Sequence, residues 1–346
     1  MITEKLRLGI DVGGTFTDLA LLADGSGAVT TEKVLTTPRN PSEGVLAGVD
    51  KLVSGGMSCN KLYSVIHGTT LVANALIERK GARTGLITTA GFRDILHFVG
   101  RELRYDMFDP NISFPKPLVP RALRLEVPER VGSDGKVIDP LDEERAKEAI
   151  KTLLAAGVES IAVCFLQSYA HTDHERRMRE LILSECPEMR VSLSHEVLPQ
   201  MREYERTSAT VINAFVQPLM GTYLKQLESG LQERGFAGNL FLMTSTGGLV
   251  SREGAEALPI QLVESGPAAG ALAAIVAGKN AGEKNVLSFD MGGTTAKAAI
   301  IKGGRALVSK SHEVARVRRF KKGSGLPVGI PVMDLLEIGA GGGSIA

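Results

Sequence analysis

Short apolar and β-branched runs alternate along the chain with stretches whose apolar residues recur at helical spacing, an α/β pattern. The opening segment, LGIDVGGTFTDLALL at residues 8–22, sets two apolar runs around a turn of glycines and hydroxyls, which predicts an antiparallel hairpin. VTTEKVLTTP reads as a third strand, and NPSEGVLAGVDKLVSG as a helix with Ser42 as N-cap and Gly55 as its stop. LYSVIHGTTLVANALIERKGARTGLITT gives strand, loop, helix, glycine stop and strand, a βαβ unit. From Met107 to Pro140 prolines multiply and periodicity fades, so an irregular excursion with short strands is expected. Helix and buried strand return in LDEERAKEAIKTLLAAGVESIAVCFL, and TDHERRMRELILSEC reads as a further amphipathic helix. A long helical connector then leads to NLFLMTS, expected as the first strand of a second lobe.

The opening pattern recurs late in the chain. LGIDVGGTFTDLALLADG and LSFDMGGTTAKAAIIKGG share an apolar strand, an aspartate, one apolar residue, Gly-Gly-Thr and a second apolar strand ending near glycine. The two aspartates, Asp11 and Asp290, lie too far apart for a solenoid repeat, and the spacing suits two lobes of a duplicated fold. Adjacent glycines permit positive φ and close approach of a ligand to backbone N–H groups, and Thr15, Thr17, Thr294 and Thr295 add hydroxyl donors. A phosphate chain suits such a turn. An aspartate beside it repels phosphate unless a divalent cation lies between them, and Mg²⁺ with several retained waters fits that need. Two such loops are therefore expected to clamp a nucleoside triphosphate. A Gly-Lys-[Ser/Thr] P-loop is absent, and the turn leads into a strand rather than the helix of a dinucleotide-binding fingerprint.

Composition narrows the partners. The 346 residues carry 40 basic and 39 acidic side chains, a balance that points away from nucleic acid or a membrane surface and toward a small molecule. No run approaches the length of a membrane-spanning helix, and the N-terminus lacks an apolar signal core, so a cytoplasmic protein is expected. Cys59, Cys164 and Cys186 fit no metal-ligand spacing and read as buried or indifferent thiols. His171 and His174 have a metal-like spacing, but Thr172 and Asp173 between them read as helix caps. REYERTS, Arg202 to Ser208, reads as a charged helix start.

The paired DVGGTFTD and DMGGTTAK resemble the two phosphate loops of the actin, Hsp70 and sugar-kinase ATPases. More narrowly, LGIDVGGTFTD, HGTTLVANALIERKGARTGLITTAGFRDIL, REYERTSATVINAFVQP, STGGLVS, VESGPAAGA, FDMGGTTAK and EIGAGGGSIA resemble, in order, the hydantoinase A, 5-oxoprolinase and acetone carboxylase β-subunit family. The resemblance implies an α/β, two-lobed actin-like ATPase fold of duplicated ribonuclease H-like domains. The expected lobes are residues 1–200 and 201–346, with the second incomplete in this chain. It also implies ATP and Mg²⁺ as cofactors, a cyclic amide or ketone as substrate, and a hydantoinase B-type partner subunit. Phosphoryl transfer to the carbonyl oxygen would make its carbon electrophilic for ring hydrolysis or, in a ketone carboxylase subunit, for carboxylation. A nucleotide-dependent conformational module without carbonyl chemistry is the alternative.

The expected site follows from these motifs. Asp11 and Asp290 orient the metal, with Thr15 and His67 joining Asp11 and Asp290 as catalytic candidates. Gly13, Gly14, Thr15, Thr17, Gly292, Gly293, Thr294, Thr295 and Gly266 are expected to hold the nucleotide. Thr69, Thr70 and Asn74, at a strand-to-helix junction, are expected to meet the substrate. Asp18 either joins the site or anchors the hairpin, and Lys297 either reaches a phosphate or lies on the outer face of its strand. Glu264 is open between a functional role and a structural hydrogen bond.

Overall fold

The computed structural model describes residues 5–97, 106, 108–109, 111–112, 115–292, 296–310, 312–317, 321–338 and 342–343. In chain order its longer elements begin with β1 (Leu6–Val12), β2 (Phe16–Ala23), β3 (Val29–Leu35), α1 (Pro41–Ser54), β4 (Leu62–Thr69), α2 (Leu71–Glu78), β5 (Thr84–Thr89) and β6 (Arg124–Val127). There follow α3 (Glu143–Ala155), β7 (Ser160–Cys164), α4 (Asp173–Glu185), β8 (Arg190–Leu193), α5 (Glu203–Glu233), β9 (Asn239–Met243) and β10 (Leu249–Ser251). The last are α6 (Ser265–Ala281), β11 (Val286–Met291), β12 (Ala296–Lys302) and β13 (Leu335–Ile338). Contacts sort the chain into two compact units: residues 1–73, 220–310 and 331–346, and residues 74–219 and 311–330. These bounds differ from a single cut at residue 200.

The first unit is built on a mixed six-stranded sheet in the order β10-β9-β4-β1-β2-β3. Strand β2 runs antiparallel to β1 and β3, whereas β4 and β9 are parallel to β1, the ribonuclease H-like arrangement. The NLFLMTS segment thus completes the first sheet instead of opening a second lobe. Its register, Leu240 beside Val65 and Leu242 beside His67, buries Leu240 and Leu242 against β4, and no local pattern could announce that partner. Alternation along β1 places Leu8, Ile10 and Val12 on the buried face. Helix α1 packs on β2 and β3, and Gly48 stands so close to Leu19 that an added methyl would meet its Cδ1 at 2.3 Å. The cap of α1 is Asn40, one residue before Pro41, rather than Ser42, whose hydroxyl donates to Asn40 Oδ1 at 2.6 Å. Proline suits that first position because its missing N–H is an orphan there.

The same unit carries the second hairpin, β11 antiparallel to β12, with β13 pairing the first half of β12. One face of this sheet rests on α6 through Ala268, Ala271, Ala299 and Met333. On the other face Leu287, Phe289, Met291, Ile300 and Leu336 are exposed.

The second unit holds an all-parallel sheet in the order β8-β7-β5-β6. Both its faces are covered, so β5 and β7 are buried at every position and lack alternation. Leu86, Ile87, Ile161 and Val163 pack with Ile150 and Leu153 of α3 and Met178 and Ile182 of α4. Among the described residues no helix is long and apolar enough to cross a membrane.

Candidate active site

The turn of the first hairpin is braced from within. Gly13 N–H donates to Phe16 O at 3.0 Å, and the Thr36 hydroxyl at the end of β3 donates to Gly13 O at 2.9 Å. Thr17 is fully buried and its Oγ1 lies 3.0 Å from Thr36 Oγ1, so it holds the turn's shape and faces inward. Gly14 and Thr15 are exposed at the tip. Neither Gly13 nor Gly14 lies in the left-handed region. Gly13 is instead required by proximity, since a methyl there would stand 3.1 Å from Phe16 O.

Asp11 sits on the opposite face of β1 from Ile10 and lines a cavity of about 720 Å³ with Gly9, Ala20, Ile66, Gly68, Met243 and Ala269. Its carboxylate lies against two glycines that carry no other obvious need. A methyl on Gly68 of β4 would stand 3.4 Å from Asp11 Oδ1, and one on Gly266 in the first turn of α6 would stand 3.1 Å from it. Burial pushes the Asp11 carboxyl up to about 6, the negative charges of Asp18 and Asp290 add to this, and Lys33 opposes it. Asp18 stands directly across from Asp11 in the strand register and pairs with Lys33 at 2.6 Å. It therefore anchors the hairpin while adding charge to the cavity.

In the second hairpin Asp290 stands opposite Lys297, and both Asp290 and Gly292 are exposed. Gly293, Thr294 and Thr295 lie outside the described residues. Gly342, in the glycine-rich end of the chain, donates its N–H to Gly292 O at 3.0 Å. Lys297 forms an ion pair with Glu264, which caps α6 with φ of 63°, a left-handed conformation costly for a side chain-bearing residue. The next residue, Ser265, accepts from Thr69 N–H at 3.1 Å and donates to Thr69 O at 2.9 Å. One helical turn thus joins the second hairpin through Glu264, the end of β4 through Ser265 and the Asp11 carboxylate through Gly266.

The third expected loop divides in two. Thr70 is pinned to Val12 O by both its N–H, at 3.2 Å, and its hydroxyl, at 3.1 Å, and Thr69 Oγ1 accepts from Leu71 N–H at 3.1 Å. These bonds lock the junction to the first hairpin, and Asn74 lies half-buried farther along α2. His67 points away from the cavity. It is fully buried beside Ile10, with Nε2 2.7 Å from the Tyr223 hydroxyl, and burial lowers its pKa to about 4. A neutral imidazole enclosed this way lies apart from Asp11, contrary to its expected place among the catalytic candidates.

The sequence matches the hydantoinase/oxoprolinase N-terminal region over residues 7–186 and the hydantoinase/oxoprolinase region over residues 206–346. The chain belongs to the hydantoinase/oxoprolinase family. It is 34% identical to the caprolactamase subunit alpha of Pseudomonas jessenii over 352 residues, covering 100% of this chain and 49% of that one. Among solved structures, the ATP-dependent caprolactamase of Pseudomonas jessenii superposes with a TM-score of 0.84 at 34% identity, over 98% of this chain and 49% of that one. The nucleotide-free acetone carboxylase structure, from a study of ATP-dependent acetone carboxylation, gives 0.85 at 29% identity, over 98% and 48%. The chain thus spans about half the length of the relatives it matches.

Within this hydantoinase/oxoprolinase fold several site-forming residues are silent in the sequence. Thr36, which braces the turn, and Tyr223, which holds His67, belong to no motif. Gly68 and Gly266 lie inside quoted motifs, yet their dependence on the Asp11 carboxylate emerges only when three distant segments meet.

Proposed function

We propose that this chain forms the Mg-ATP-binding part of an enzyme that activates an amide or ketone carbonyl by phosphoryl transfer. The observation that carries the reading is Asp11. It stands at a duplicated Asp-x-Gly-Gly-Thr hairpin, with two glycine backbones against its carboxylate, at the edge of a cavity of about 720 Å³. Its raised pKa marks a carboxylate whose charge lacks compensation, and a divalent cation supplies that compensation. Among the described residues no three His, Cys, Asp or Glu side chains gather to hold a metal. A sparse protein ligand set suits Mg²⁺, which keeps waters and shares phosphate oxygens.

In this reading Asp11 and Asp290 hold the ion through its waters, and the N–H groups and hydroxyls around Gly13, Gly14, Thr15 and Gly292 to Thr295 hold phosphates. Bound Mg²⁺ would neutralise charge on the transferring phosphoryl group. Phosphoryl transfer asks mainly for positioning and charge neutralisation, and in this reading the paired hairpins provide positioning. Gly266 and the Thr69–Ser265 link keep α6 beside the carboxylate, and Thr70 fixes the substrate-side junction with Asn74 farther along. A cytoplasmic location and a hydantoinase B-type partner belong to the same proposal. Caprolactamase and acetone carboxylase support the two substrate classes, a lactam or other cyclic amide and a ketone.

Phosphate release from Mg-ATP, measured across hydantoins, lactams and ketones with and without a coexpressed partner subunit, tests this reading. One carbonyl compound is expected to raise the rate. A rate indifferent to every carbonyl but responsive to a protein client would favour a nucleotide-driven conformational module.

A further inference from the structure

The second unit has its own place for a ligand, independent of the nucleotide reading. Its chain order β5, β6, β7, β8 maps onto the spatial order β8-β7-β5-β6, so the sheet's winding reverses between β5 and β7. In open parallel sheets ligands bind outside the carboxyl ends of the strands at that reversal, where the connections diverge and leave a crevice. At those ends a small cavity is lined by Thr88, next to the last residue of β5, and Cys164, the last of β7, with Phe92, Ile95, Glu203 and Arg206.

Arg206, in the first turn of α5, is 0% exposed. Its Nη1 donates to the hydroxyls of Ser168 and Ser194, and its guanidinium lies 5.6 Å from the Tyr169 ring. Ser194 passes the connection on to the buried Glu175 at 2.6 Å, which also accepts from His195 N–H at 3.1 Å and Phe165 N–H at 3.0 Å. The opposite edge of the guanidinium is different. Nε and Nη2, the two donors that form a side-on fork, are buried and have no hydrogen-bond partner among the described residues. Neither Glu203 nor Glu175 forms a direct ion pair with Arg206, and the Glu175 carboxylate reaches it only through the Ser194 hydroxyl. A fork of two parallel N–H groups is the geometry that grips a carboxylate.

We propose that this crevice binds a small carboxylate anion, held by the Nε and Nη2 fork of Arg206 at the carboxyl ends of β5 and β7. The cavity as it stands has no room for a water-sized sphere. Entry of the anion requires a lining side chain to give way, of which half-buried Glu203 is one, and the ligand class is limited to formate- or acetate-sized molecules or the carboxylate end of a longer one.

Formate and acetate are the probes, compared with chloride at equal ionic strength by thermal unfolding of the chain. Formate is expected to raise the melting temperature of the wild type by about 2–4 °C, through binding to the folded state alone. Arg206→Met removes the charge at similar volume and is expected to abolish the shift, and Glu203→Gln to enlarge it. Ile95→Phe fills the cavity without touching the arginine, so it decides the matter if Arg206→Met does not fold, and it too is expected to remove the shift. A formate shift that survives either Arg206→Met or Ile95→Phe, or a wild type indifferent to both carboxylates, overturns the proposal.

Discussion

The two hairpins share a sequence pattern and a register, yet the chain treats them differently. Leu8, Ile10 and Val12 of the first are buried, whereas their counterparts Leu287, Phe289 and Met291 of the second are exposed. Asp11 faces Asp18 across the first hairpin, and Asp290 faces Lys297 across the second. The cation that balances the first, Lys33, sits in an exposed pair with Asp18, while Lys297 is nearly enclosed with Glu264. A repeated motif therefore fixes the strand register and the place of the acidic residue, and its surroundings decide what that residue faces.

Core truncation should separate the hairpins most. Ile10 is 4% exposed and Phe289 is 59% exposed. Ile10→Ala is expected to cost roughly 3–4 kcal/mol in chemical denaturation, mostly from the cavity left behind, and Phe289→Ala less than about 0.5 kcal/mol. Equal costs would mean that the second hairpin's apolar face is packed in solution.

The two ion pairs give the next contrast. Side-chain exposure is 16% and 9% for Lys297 and Glu264 but 56% and 52% for Lys33 and Asp18. Lys297→Met strands the Glu264 carboxylate beside a left-handed backbone and should cost about 2 kcal/mol, against under about 0.5 kcal/mol for Lys33→Met. A double-mutant cycle with Glu264→Gln measures the first coupling directly.

The smallest effect concerns acid. His67 is neutral in the folded chain with its pKa lowered to about 4, whereas an unfolded histidine titrates near 6.5. Its contribution is present above that unfolded value and is lost as pH falls toward the folded one, about 1 kcal/mol of it between pH 7 and 5.5. His67→Gln should flatten that part of the stability profile. An unchanged profile would place the acid sensitivity elsewhere.

The sequence disclosed much of this architecture and little of its cross-links. Gly-Gly-Thr flanked by apolar runs marked both hairpins because turn chemistry and strand alternation are local. The family was legible for the same reason, since its motifs are long and contiguous. The partner of β9 was not legible, because strand adjacency is settled by segments more than a hundred residues apart. Because β4 is buried on both faces along most of its length, alternation gives no hint of which side the His67 imidazole takes. Nothing local decides between two roles for Glu264, and the structure gives it an ion pair at a strained helix cap with Lys297, thirty-three residues later.

In the proposed function Asp11, whose carboxyl is raised by desolvation and by the charges of Asp18 and Asp290, is the principal anchor for a cation and its nucleotide, with Asp290 as an auxiliary. Calorimetric titration of Mg-ATP into wild type, Asp11→Asn and Asp290→Asn between about pH 5.5 and 8 tests it most directly. Binding to the wild type should strengthen as pH rises through about 6, where Asp11 ionises. Asp11→Asn should weaken binding by about 100-fold and remove that pH dependence, with Asp290→Asn weakening it by about 10-fold and keeping it. Unaltered Mg-ATP affinity in Asp11→Asn would contradict the account.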